Sequence, residues 1–233
     1  MPTKKKAKPS KARKTAAAPK SKQSKKESKL TKKKTLKANK KALAAPPKAG
    51  EARLLSSEVV YHGPLFRVTK DRLIEPGGKE STRDVVRHNG SVIILAVDNS
   101  KSKRDPWIVM ERQYRHAAGR FLWELPAGKL EPGEDPLAGA QRELEEETGY
   151  RAKKWKPLLE YFASPGFLGE TMKVFLAEGL VPGDAHPEDD EDIELRLIKL
   201  SDILKQIDKG AIMDGKTLSC VMLYARQRGS KRK

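Results

Sequence analysis

The chain has 233 residues, 34% of them charged, and its 49 Lys/Arg against 31 Asp/Glu give a formal net charge of +18. No stretch reaches the ~18 consecutive apolar residues of a membrane-spanning helix, which excludes a helical integral membrane protein. Cys220 is the sole cysteine, so disulfides within the chain are excluded, and His62, His88, His116 and His186 are too scattered for a zinc site.

All of the net charge lies at one end. Residues 1–50 hold 19 of the 49 basic residues and one acid, Glu27, which leaves 30 residues of each sign for the other 183. The segment is dominated by Lys, Ala, Ser, Thr and Pro and has no aromatic residue. It cannot bury enough apolar surface to offset the entropy of ordering. Residues 1–52 are therefore expected to be a disordered basic tail, with Ala44-Ala45-Pro46-Pro47 as linker. The lysines are not followed by the apolar core of a secretory signal, and the excess of Lys over Arg is unlike a mitochondrial presequence, so a cytoplasmic protein is expected. A lysine run attracts phosphate polyanions without sequence preference. It fits a tether to nucleic acid and a merely solubilising tail equally well.

Residues 53–229 have the size of one domain, and 230–233 form a short basic end. Apolar-rich stretches suited to strands fall at 59–61, 66–74, 85–87, 92–97 and 107–111, then at 158–162, 172–177 and 194–200. Helical patterns fall at 200–209 and 216–226, and a longer one lies mid-chain. Strands outnumber helices, which fits an α/β class. Cys220 lies on an apolar helical pattern and is expected in the core.

The mid-chain helix carries the chemistry. Residues 128–150 read GKLEPGEDPLAGAQRELEEETGY. Pro132-Gly133 is a turn pair, so Glu134 is expected to open the helix, where a carboxylate is favoured by the exposed amides and the dipole. On that helix Glu143, Glu146 and Glu147 stand at i, i+3 and i+4 on one face. Leu137, Ala140 and Leu144 supply the apolar stripe. Three adjacent carboxylates repel one another, and a hard divalent cation on them would relieve this. Gly128 would let the preceding loop fold back and offer the Ala127 carbonyl as a further oxygen ligand. A Glu-rich helix can equally be a solvated face laced with ion pairs, Arg142 to Glu146 among them. The glycine–loop–helix frame around the acids favours the metal site.

Gly128, Glu134, Arg142-Glu143-Leu144, Glu146-Glu147, Gly149 and Tyr150 fall on the signature G-x5-E-x7-R-E-U-x-E-E-x-G-U, where U is apolar, and so the chain resembles the Nudix hydrolase superfamily. Tyr150 is a slightly unusual final position. The likeness extends over roughly residues 53–229 to the ADP-ribose pyrophosphatase branch. It rests on Glu124-Leu125-Pro126-Ala127-Gly128, on Gln113-Tyr114-Arg115, on Ser164-Pro165-Gly166-Phe167 and on the stretch from Gly210 to Lys216-Thr217 that resembles G-x-I-x-D-x-K-T. Taken singly, the proline turn is common, Arg115 could be a surface arginine, and Lys216-Thr217 could merely cap the last helix. Their joint occurrence in the expected order gives them weight.

The resemblance implies an α/β/α sandwich with a mixed sheet. It implies metal-dependent hydrolysis of ADP-ribose, or of a GDP-sugar or another nucleoside diphosphate derivative, with Mg2+ or Mn2+ on Ala127, Glu143, Glu146 and Glu147. Arg115, Glu124 and Pro165 are then substrate-binding residues, Arg142 is catalytic, and Gly128, Glu134 and Gly149 are structural. The branch carries its water-activating carboxylate outside the signature helix. Glu191, in the acidic run 187–194, is the first choice and Glu170 the second. The branch also implies a homodimer through the N-terminal strands. A nucleic-acid-associated protein with a binding-only Nudix module is the other class, and the intact set of signature carboxylates argues against it.

The charge division gives one expected outcome. Deleting residues 1–50 should leave turnover within a few-fold of the full chain and abolish retention on DNA or RNA at low salt. A flexible 50-residue chain reaches only about 40 Å, so it stays close to the domain without joining its core. A truncated chain that is retained as well as the full one in a salt-gradient assay would overturn this, and a large gain in turnover would instead reveal inhibition by the tail.

Overall fold

The computed structural model describes residues 50–186 and 193–230. Its centre is strand β4 (Ser91–Asp98), whose sequence VIILAV is buried at every position from Val92 to Val97. A strand buried on both faces reads as a continuous apolar run rather than an alternation. Val92, Ile94 and Ala96 face one apolar cluster, and Ile93, Leu95 and Val97 face the other.

Helices cover both faces. Ala140 and Leu144 of α1 (Pro136–Thr148) pack on the first face. Leu200 and Ile203 of α2 (Leu200–Asp208) and Cys220, Val221 and Tyr224 of α3 (Gly215–Ser230) pack on the second. Cys220 is thus in the core, as expected, and burial pushes its thiol up to about 12. The architecture is the α/β/α sandwich implied above. Among the described residues no helix is long and apolar enough to cross a membrane.

The main sheet has seven strands. β4 runs parallel to β9 (Thr171–Val181), which pairs antiparallel with β8 (Arg151–Phe162). On its other side β4 meets β5 (Trp107–Arg115) only at Val97 and Asp98. Towards its start β4 instead pairs with β7 (Ala127–Lys129), while β5 continues away, paired with β6 (Arg120–Glu124) and β10 (Glu194–Lys199). The divergence of β4 from β5 is filled by the segment joining β6 to β7. The site is built there.

A separate three-stranded antiparallel sheet precedes this one: β1 (Arg53–His62), β2 (Arg67–Ile74) and β3 (Glu80–Arg87). It leaves Val59, Val60, Tyr61 and Leu65 more than half exposed. Val86 of β3 joins it to the turn after β8, accepting from Gly169 N–H at 2.9 Å and donating to the Phe167 carbonyl at 2.8 Å.

Three expectations need correction. The short runs 120–124 and 127–129 are strands that the sequence pattern did not show, because pairing rather than hydrophobic period defines them. Glu134 does not open the helix. Asp135 is the N-cap, accepting from the Leu137 and Ala138 N–H groups at 3.1 and 3.0 Å, with Pro136 following. Leu137 is not part of the buried stripe and stays 36% exposed.

Candidate active site

α1 lies against β7 with almost nothing between them. A Cβ added to Gly128 would stand 1.9 Å from Glu143 Cδ and 2.2 Å from both carboxylate oxygens. The role expected for Gly128, folding back a loop, is therefore replaced by another: the glycine lies in a strand and leaves room for Glu143. At the other end of α1, Gly149 has φ +69° and donates to the Glu145 carbonyl at 2.9 Å. A Cβ there would stand 2.6 Å from the Gly183 carbonyl oxygen and 2.7 Å from the Ala185 nitrogen, so conformation and space both demand glycine.

The charges on this helix are woven together by Arg142. Its guanidinium reaches Glu134 at 3.0 and 3.2 Å, Glu143 at 2.8 Å, Glu146 at 2.8 Å and the Lys129 carbonyl at 3.3 Å. The Glu134 hydrogen bonds are the largest reason that Arg142 is held more firmly protonated than usual. The same contact, with the Glu131 N–H reaching Glu134 at 2.9 Å, holds the Glu134 carboxyl below the ordinary range. Glu147 is buried and accepts the Ala127 N–H at 3.1 Å.

Behind the cleft sits a second ion-paired group. Glu124 is 1% exposed and takes a bidentate pair of hydrogen bonds from Arg115, at 2.9 and 2.8 Å. Lys216 closes on the same carboxylate and lies 3.2 Å from Asp214. Burial alone would raise the Glu124 carboxyl. The Arg115 hydrogen bonds and the Lys216 charge outweigh it and hold the group below its ordinary value.

One cleft of about 430 Å³ brings most of these residues together: Arg115, Ala127, Gly128, Arg142, Glu143, Glu146 and Glu147 line it. Leu65, Lys129, Glu131 and His186 line it too and were not among the sequence candidates. Lys129 and Glu131 lie inside the signature. Leu65 and His186 come from remote loops and carry no local signal. Glu124 lies beneath Arg115 rather than on the wall. Pro165 sits in the turn bonded to β3. Glu170 is not on the wall; its carboxylate accepts from Ser91 Oγ at 2.6 Å and lies 3.5 Å from His88. Glu191 falls outside the described residues. The chain that leads to it is placed, since His186 lines the cleft and donates its N–H to the Glu146 carbonyl at 2.8 Å. The chain that leaves it is placed as well, by Glu194 paired with Arg112 at 3.4 Å.

Among the described residues no three Asp, Glu, His or Cys side chains already converge as a metal cage. The donor chemistry nevertheless suits a hard cation, with three carboxylates and backbone oxygen on one cleft. In this arrangement Arg142 and the Ala127 N–H engage those carboxylates.

Residues 87–218 match the family described as NUDIX domain. The chain is 39% identical over 172 residues to the ADP-ribose pyrophosphatase of Bacillus subtilis (strain 168), covering 73% of this chain and 90% of that protein. It is 36% identical over 188 residues to the methanol dehydrogenase activator of Bacillus methanolicus, covering 80% and 99%. A crystal structure described as an ADP compounds hydrolase superposes with a TM-score of 0.67 at 19% identity over 80% of this chain and 98% of that one, which is a likeness of fold.

Gly128→Ala tests the close approach. Because the clash falls on the end of a side chain, Glu143 should swing away and the fold should persist. Turnover should fall on the order of a hundredfold, as for an ångström of misplacement at a reacting site. A circular dichroism melt should stay near that of the parent. Full activity in the alanine variant would remove Glu143 from the machinery.

Proposed function

The chain belongs to the NUDIX family and is a Nudix hydrolase, and from that premise we propose that it hydrolyses the pyrophosphate bond of ADP-ribose to AMP and ribose 5-phosphate. The observation that carries this is the cleft itself, where Glu143, Glu146 and Glu147 share a wall with Arg115. Carboxylates alone would repel a diphosphate. A cleft that pairs them with an arginine suits a substrate bound through cations.

Ala127, Glu143, Glu146 and Glu147 would hold the divalent ion, Mg2+ first and Mn2+ second by the hardness of the oxygens. When bound, it would neutralise charge on the phosphates and polarise the attacked phosphorus. The chain's own groups do the rest. Arg115 binds a phosphate oxygen, and its bidentate pairing with Glu124 fixes the direction in which it points. A water oxygen bonds to one phosphorus, the bridging P–O bond breaks, and the electron pair leaves on the other phosphate. The water's proton goes to a carboxylate. We assign this to Glu191, because the described chain leading to 187–192 reaches the cleft at His186. Glu170 is already engaged with Ser91 and serves as the supporting acid.

Three further readings belong with this one. The exposed apolar residues of β1 and its following loop, Val59, Val60, Tyr61 and Leu65, support a homodimer through the N-terminal sheet, and Leu65 also lines the cleft. The lysine-rich segment supports non-specific nucleic-acid binding outside the hydrolytic role. The single buried free cysteine is in keeping with a reducing compartment such as the cytoplasm.

Glu146→Gln and Glu147→Gln should each lower turnover by about a hundredfold or more while circular dichroism stays unchanged. They are to be assayed with Mg2+ on a panel of ADP-ribose, GDP-sugars and other nucleoside diphosphate derivatives. Near-parental rates in both variants would sink the metal-site assignment, and a parent that prefers a GDP-sugar would replace the substrate.

Light scattering should give twice the chain mass, and Val60→Glu together with Tyr61→Glu should shift it towards one. A fully active monomer at nanomolar concentration would remove the dimer.

A further inference from the structure

The start of α3 grips the back of the cleft from 92 positions away in sequence. Asp214 caps the helix, accepting from Thr217 N–H at 2.9 Å and from Thr217 Oγ1 at 2.7 Å. Asp214 thus does the capping, while Thr217 and Lys216 also reach residues beneath the cleft. Thr217 is fully buried and its Oγ1 accepts the Leu125 N–H at 2.9 Å, two residues before Ala127. Lys216, with 12% of its side chain exposed, bonds to the buried Glu124 carboxylate at Oε2, the oxygen that also accepts from Arg115 Nη2.

The charges around Arg115 explain why a second cation is needed. The Glu124, Glu111 and Glu147 carboxyl groups all act on its guanidinium, Glu124 most strongly and through hydrogen bonds. Glu111 and Glu124 face each other across the β5–β6 pair, and both are buried. One arginine against three carboxyl groups would be drawn inward and largely neutralised. Lys216 shares the Glu124 charge, which leaves Arg115 field and freedom to spare for an anion in the cleft.

The geometry points to Lys216 as a positioning residue for phosphate binding, acting through Glu124 on Arg115. This rests on the hydrolase reading above but not on which nucleoside diphosphate is the substrate. A purely structural lysine would affect the melting temperature alone. A positioning lysine acts on KM, because Arg115 holds the phosphates in the ground state as well as in the transition state.

A double-mutant cycle tests it with the full chain: Lys216→Met, Glu124→Gln and the pair together, read on the derivative that the parent hydrolyses fastest. Lys216→Met should raise KM about tenfold or more, the scale of a lost charge-assisted contact, with kcat within about threefold. In the Glu124→Gln background the same change should leave KM where Glu124→Gln alone puts it. Should Lys216→Met fail to fold, Lys216→Gln, which keeps a hydrogen-bonding group on Glu124 but no charge, is read in its place and should likewise raise KM. A further rise in KM in the double variant, or an unchanged KM with a lowered melting temperature in Lys216→Met, would overturn the proposal. A parent that hydrolyses another derivative in place of ADP-ribose sinks the substrate assignment and leaves this inference standing.

Discussion

The contact between α1 and β7 at Gly128 is the constraint on which the site depends. A helix normally keeps its distance from a sheet because side chains fill the gap. Here the Glu143 carboxylate occupies the space that any Cβ at position 128 would take. That approach puts acid residues of the helix against the strand that carries Ala127, and it lets the Glu147 carboxylate reach the Ala127 N–H. The opening it uses exists because β4 leaves β5 after two paired positions and takes β7 as its new neighbour. A regular sheet would have left no room for the β6–β7 segment.

Much of the site was legible in the sequence because the signature is local. Residues 128 to 149 lie within one strand–loop–helix unit, so helical spacing alone places Glu143, Glu146 and Glu147 side by side. The two core faces of β4 were legible as a buried run for the same reason. What could not be read is set by distant pairing. β6 and β7 are short, and their residues carry no alternation. Leu65 and His186 reach the cleft from loops 121 positions apart in the chain. Glu134 lies two residues before the helix rather than at its start, because Asp135 as N-cap followed by Pro136 is the stronger start signal. The resemblance marks Glu124 as substrate-binding, and the tertiary fold shows it buried and paired with Arg115.

The charge pattern of the helix invites a further step. Three adjacent carboxylates repel one another, and a divalent cation would relieve that. The structure supplies protein partners for them instead. Arg142 holds Glu143 and Glu146, the Ala127 N–H holds Glu147, and the neighbouring Glu145 pairs with Arg151. Exposed pairs of this kind are each worth little, but Arg142 is half-buried and serves three carboxylates at once. A divalent ion held on Glu143 and Glu146 would compete with Arg142 for their oxygens, so its net affinity would be the difference between two sets of favourable contacts. Arg142 is thus the clasp of these acids, and a cation bound on them would have to displace it in part. The Glu134 carboxylate, paired with Arg142 on the loop side, would keep that arginine in place if the other two acids turned to an ion.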